Sequence, residues 1–327
     1  MYLKNHHKFV SRVIATVLLL LLIAWVLTSK DILVNQPQIF QVKSGSSMGE
    51  VAQELSDRQI IKSKKFFATV SRLLNANKNL KSGYYELKPD TSIFDFIGQI
   101  SSGEVLKTKV TLIEGKTIQY YFQQLNKDSS ITPNESFDNG MSSIGIQEPY
   151  DGWFFPETYI FNYGESIENV LKKSHETMKL KLAELWKNRD TSIPFDSPYQ
   201  AIILASLIEN ETALDKEKPM ISSVFIGRLN SNMRLQTDPT VIYALGDQYS
   251  PPLTRSDLQF DHPYNTYRNK GLPPGAISSV GYQSLFAALN PAKGNDLYFV
   301  SKKDGSHAFA KTYDEHKENI KKYLKVN

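Results

Sequence analysis

Two carboxylates separated by one residue end an apolar run in LASLIENETALDKE, residues 204–217. A pair of carboxyl groups can flank a glycosidic bond as acid and as nucleophile or base. The spacing of Glu209 and Glu211 argues against that use. Successive helical residues turn by about 100°, so i and i+2 lie about 200° apart. The two side chains leave opposite sides and cannot share one proton. Leu204, Leu207, Ile208 and Glu211 follow i, i+3, i+4, i+7, the spacing of a buried face. Glu211 thus falls in line with the apolar stripe. Glu209 falls in line with Ile202, Ala205 and Ser206, a smaller and more polar side, where it can edge a cleft or hold a loop. A desolvated carboxyl keeps its proton to higher pH, as a general acid near neutrality requires. The same residues also suit a structural glutamate paired with an arginine or capping a loop. Both readings of Glu211 stay open on spacing alone.

Three further segments are rich in polar and aromatic residues: GWFFPETY (152–159) with Glu157, RLQTDPT (234–240), and YNTYRNKGLPPG (264–275). Each has a plain reading. Asp238 before Pro239 is a helix N-cap, Pro-Pro-Gly is a rigid turn, and Tyr264 and Tyr267 are packing residues. Together they suit the walls of a sugar groove, because a sugar ring has apolar faces and polar edges. Gln236, Thr237 and Asn265 would supply the polar contacts, and the tyrosines the faces. Asp238 and Glu157 are the carboxylates available should a second one be needed.

These residues need elements to hold them. IFQVK (39–43) alternates as a strand. Ser47 to Glu50 forms a capping box opening a helix to Leu55. SKKFFATVSRLL (63–74) is amphipathic, SGYYELKP (82–89) reads as a strand, and Ser92 to Asp95 caps a third helix. The order is β-α-α-β-α. KTKVTLIEG (107–115) reads as a strand leading into a larger region. There, helices are expected near 117–125, over 166–187, from Ser197-Pro198 through Glu211, over 218–229, from Asp238 to Gly246, over 282–289 and over 312–324. Residues 126–143 read as a polar loop with short helical pieces, and LYFVSKKDGSHAFA (297–310) as a hairpin turning at Asp304-Gly305. The expected fold class is α+β: a small β-α-α-β-α domain, then a mainly helical domain with a β-hairpin.

The whole chain has 327 residues, enough for two domains. Its 41% hydrophobic and 22% charged content suits folded domains rather than disorder. A net charge of +4 without a basic stripe gives no sign of a nucleic-acid partner. With no cysteine, disulfides and thiolate-bound metals are excluded. No histidine stands in a zinc spacing, so no metal or cofactor is expected. The N-terminus is basic, with Lys4, Lys8 and Arg12, and Val13 to Ser29 carries no charge. As a helix this run spans roughly 25 Å, the short end of a membrane span. No small-x-small cleavage site follows. The expectation is a single-pass anchor with a cytoplasmic N-terminus and the remainder outside. The boundaries that follow are 1–12 cytoplasmic, 13–29 anchor, 30–38 linker, 39–106 small domain and 107–327 larger domain.

ASLIENETA, SVFIGRLNSNMRLQTDPTVIYALG, YNTYRNKGLPPGAIS and SLFAALNPA together resemble the endolytic murein transglycosylases, the YceG-like family. The resemblance covers nearly the whole chain and identifies the small domain as LysM-like. The chain has ENET where the family has EKET, with Asn210 for lysine. It has ISSVG (277–281) where the family has IATPG. The resemblance implies cleavage of the MurNAc-β-1,4-GlcNAc bond of nascent peptidoglycan strands without water, leaving 1,6-anhydro ends. It implies Glu211 as catalytic acid and base, in Glu-Thr-Ala where soluble lytic transglycosylases have Glu-Ser-Ala. It further implies a place in the inner membrane with the catalytic domain in the periplasm, and partnership with peptidoglycan synthases. Two alternatives remain: a two-carboxylate muramidase-type hydrolase using Asp238 or Glu157, and a non-catalytic, membrane-anchored wall-binding scaffold.

Overall fold

The computed structural model describes residues 12–14, 16–17, 32–89 and 91–324. Most of the expected anchor, 13–29, lies outside the described residues. No helix among the described residues is long and apolar enough to cross a membrane. The chain divides into two compact units. One comprises residues 1–108 with 160–164, and the other 109–159 with 165–327.

In the first unit, β1 (Gln38–Val42) pairs antiparallel with β2 (Gly83–Leu87), with Phe40 opposite Tyr85. Alternate residues of each strand are buried, the period-2 pattern of a one-sided sheet. Helices α1 (Met48–Asp57), α2 (Lys64–Leu73) and α3 (Ile93–Ser102) complete the unit. Ser47 with Glu50 and Ser92 with Asp95 both form complete capping boxes, satisfying donors at the two helix starts. Phe96 stands at the centre of the core, edge-on to Phe40 at 5.9 Å and to Tyr85 at 6.2 Å.

The second unit is mainly helical. The division between units falls within β3 (Lys107–Thr111) and its partner β5 (Thr158–Asn162). α4 (Ile118–Lys127), β4 (Ile131–Thr132) and α5 (Phe137–Ser143) follow β3. β4 pairs in parallel with β6 (Glu165–Ser166), which leads into the long α6 (Ile167–Lys187). Then come α7 (Pro198–Glu211), α8 (Lys218–Asn230), α9 (Asp238–Leu245) and α10 (Tyr282–Leu289). The hairpin β7 (Tyr298–Ser301) and β8 (His307–Ala310) precedes α11 (Tyr313–Tyr323).

α7 is the axis of this unit and packs against α6, α8, α9 and α10. Every residue from Ala201 to Ile208 is buried. The expected division into an apolar stripe and a more polar side therefore does not hold: Ile202, Ala205 and Ser206 are as buried as Leu204 and Leu207. A helix covered on all sides needs no amphipathic stripe. The one hydroxyl in this stretch, Ser206 Oγ, is satisfied twice. It donates to Ile203 O (2.7 Å) and accepts from Ile277 N (3.0 Å).

Candidate active site

The end of α7 delivers its two glutamates to different neighbours. Glu209 Oε2 accepts from Gly281 N at 2.9 Å, and its Oε1 lies 3.4 Å from Lys218 Nζ. Lys218 also meets Asp215 at 3.0 Å. Glu209 therefore ties α7 to the start of α8 and to the turn before α10. That turn is the ISSVG segment, and polar contacts hold it. Gly115 N donates to Ser279 O (3.1 Å), and Ser279 N donates to Lys116 O (2.8 Å). Tyr121 Oη contacts Ser279 Oγ at 2.6 Å. Asn210 Nδ2 donates to Ser278 Oγ at 2.7 Å. The residue replacing the family's lysine thus bonds a residue of the other departing segment.

Glu211, the last residue of α7, turns into a cavity of ≈ 450 Å³. Thr237 Oγ1 donates to Glu211 Oε1. The sequence reading makes Asp238 the N-cap of α9. The structure instead puts Thr237 at that position, with Asp238 first in the helix, and the Thr237 side chain makes no capping bond. Its hydroxyl goes to Glu211. Thr237 is itself fixed: its N–H donates to Thr266 Oγ1 (3.1 Å), and its carbonyl accepts from Thr240 Oγ1 (2.7 Å). Gln236, just before it, has the left-handed φ of 53°, unusual for a residue with a side chain. Its N–H donates to Thr266 O (3.2 Å), so the 264–267 loop holds this turn.

Burial pushes the Glu211 carboxyl up to about 7, against the opposing hydrogen bond from Thr237. The Asp238 carboxylate adds to the rise, while His307 and Arg228 pull it down. A glutamic acid that holds its proton near neutrality can give it to a leaving oxygen. Asp238 is exposed, lines the same cavity and accepts from Tyr267 Oη. Burial and that carboxylate hold the Tyr267 phenol well above its ordinary range.

The structure thus brings Glu211, Gln236, Asp238 and Tyr267 onto one cavity, with Thr237 behind Glu211. Other expected contacts lie elsewhere. Asn265 is fully buried, and its Nδ2 donates to the carbonyls of Leu258 (3.1 Å) and Phe260 (2.8 Å). Its Oδ1 accepts from Tyr267 N at 2.9 Å. The amide is spent on shaping the loop that presents Tyr267. Tyr264 lines a separate cavity of ≈ 460 Å³ with Asp151 and Tyr243. Glu157 is exposed at the foot of β5, outside the Glu211 cavity.

Several cavity residues were not singled out in the sequence: Arg228, Phe299, Ser301, His307 and His316. Arg228 is buried near the end of α8. Its guanidinium donates to the carbonyls of Leu297 (2.6 Å) and Leu235 (2.9 Å) and sits 5.2 Å from the Tyr298 ring centre. An arginine inside the apolar run VFIGRL was the available signal. His307 and His316 stand in no motif that marks them in the sequence.

A sequence profile of the YceG-like family matches residues 40–322. The endolytic murein transglycosylase of Bacillus subtilis (strain 168) is 31% identical over 313 residues, covering 86% of this chain and 84% of that protein. The endolytic murein transglycosylase of Streptococcus pneumoniae serotype 2 is 25% identical over 323 residues, and the match spans 58% of its length. Among solved structures, a YceG-like protein from Listeria monocytogenes is similar with a TM-score of 0.54 at 30% identity, covering 86% of this chain and 99% of that one. The profile match over most of the chain and the 31% identity with the Bacillus subtilis protein show that this chain belongs to the YceG-like family.

Proposed function

We propose that this protein is an endolytic peptidoglycan transglycosylase with Glu211 as its acid and base. The observation that carries the reading is the setting of Glu211: half-buried in a cavity wall, bonded by Thr237, with its carboxyl pushed up to about 7. Glu211 gives its proton to the glycosidic oxygen as the bond to MurNAc C1 breaks. The neighbouring 2-acetamido group of the sugar supports the positive charge that develops. The Glu211 carboxylate then takes the proton from the C6 hydroxyl as O6 bonds to C1. The proton count on Glu211 is restored, no water enters, and a 1,6-anhydro end results. Tyr267, Gln236 and Asp238 form the polar wall against which the strand lies.

The products separate this from a two-carboxylate hydrolase, for which Asp238 is the carboxylate in place and Glu157 is not. In the proposed arrangement, residues 13–29 anchor the chain in the cytoplasmic membrane, and the two units lie outside. In sequence the small LysM-like unit lies between the proposed anchor and the catalytic unit, and the proposed substrate is the newly made strand with its synthases as partners. Strand length tests the endolytic part. Uncrosslinked glycan strands incubated with the full-length protein should shorten on average before disaccharides accumulate. Disaccharides released from the start would mean end-acting cleavage. Intact strands would leave the wall-binding scaffold as the better account.

A further inference from the structure

Glu217, at the N-terminus of α8, is a buried carboxylate with two bonds to one residue. Its Oε1 accepts from the backbone N–H of His307 at 3.2 Å, and its Oε2 meets His307 Nδ1 at 2.8 Å. The two side chains are 9% and 10% exposed. A carboxylate accepting from Nδ1 fixes the orientation of the ring. The ring does not face only Glu217. It forms part of the wall of the Glu211 cavity and of a neighbouring cavity of ≈ 530 Å³. Phe299 packs edge-on against it at 5.4 Å and limits its rotation.

We propose that Glu217 and His307 form a positioning pair for the reaction at Glu211, the clamped imidazolium stabilising the Glu211 carboxylate left after proton transfer. The inference rests on Glu211 being the acid and base. Once Glu211 has protonated the leaving oxygen, a half-buried carboxylate is left in the cavity wall. A fixed cation nearby favours that anion most strongly at that moment, and such preorganised charge lowers the barrier. The pair moves no proton in the overall reaction. Glu211, Arg228 and Asp238 share the first cavity with the ring, as do Tyr267 and His316. Lys216 and Lys302 face it from the second. Arg228 is a cation on the same cavity, its Nε and Nη1 bonded to backbone carbonyls. His307 is the one held by a carboxylate partner, Glu217.

The test uses His307→Gln and Glu217→Gln in the full-length protein. For each, kcat and KM are measured across pH on uncrosslinked strands, beside thermal unfolding. Removing the cation should lower kcat by about ten- to a hundredfold with little change in KM. It should also move the alkaline limb of the profile to higher pH, because Glu211 then holds its proton more firmly. Glu217→Gln should move the limb in the same direction by less. Variants that unfold earlier but keep kcat and the limb would overturn the proposal and reduce the pair to an anchor for the hairpin. Carbon-13 titration of the Glu211 carboxyl, assigned by its loss in Glu211→Gln, separates this idea from the activity itself. A midpoint that rises in His307→Gln supports the pair even on strands that are not cut, and an unmoved midpoint overturns it.

Discussion

Glu211 is costly to bury as an anion, and its protein environment lets it remain an acid. Because its folded value is about 7 against an ordinary 4.5, the folded state binds this proton more tightly than the unfolded chain. The stabilising contribution is full below pH 4.5 and falls as pH rises toward 7. Glu211→Gln removes that dependence, so the variant's Tm should gain on that of the wild type between pH 5 and pH 8, as thermal unfolding at both values can show. The same titration governs activity: kcat/KM should fall as pH rises past about 7, where the acid form is lost. Thr237→Val removes a bond that favours the carboxylate. The fall should then move to higher pH, with a stability cost of about 1 kcal/mol. The end of an apolar run drew attention to Glu211, but its role as acid came from the family resemblance and not from spacing. Its partners were less legible. Thr237 was noted as a sugar contact, but only the fold shows its hydroxyl leaving the capping position for a residue 26 positions earlier. Asn265 was misplaced for a related reason. A side-chain amide in a polar loop can face ligand or backbone, and sequence does not say which.

At the scale of elements, α7 must be held from every side. Gly152 approaches it with φ of 86°, and a Cβ there would lie 2.5 Å from Ile202 Cγ2 and 2.6 Å from Ala276 Cβ. Gly152→Ala should therefore cost about 2–4 kcal/mol, from backbone strain added to overpacking. Denaturant unfolding would show the loss, and an unchanged midpoint would mean that the turn sits less tightly against α7. Lys218→Met leaves Glu209 with Gly281 N but without its buried cation. Breaking such a pair costs about 3–5 kcal/mol, visible in the same experiment. Helix starts were readable where capping chemistry is local, as at Ser47 and Ser92. The short strands β4 and β6 were not, because two-residue pairings depend on a distant partner. β5 was not expected: its first two residues, Thr158 and Tyr159, fall in a segment read as groove wall, and the strand shows its character only beside β3.

Across the whole molecule, the chain separates a small unit with its own aromatic core from a larger one built around α7. The small unit's strand–helix–helix–strand–helix order was legible because each element carries its own period and cap. The return of residues 160–164 to that unit was not, as it depends on a contact far along the chain. The account places one reacting group, Glu211, in the larger unit and makes the proposed anchor a means of bringing it to new strands. The most direct measurement is the mass of the new strand ends made by the wild-type protein and by Glu211→Gln. The account predicts fragments one water lighter than hydrolysis products from the wild type, and a loss of at least about a hundredfold in the variant. Reducing ends, or undiminished cleavage by Glu211→Gln, would contradict it.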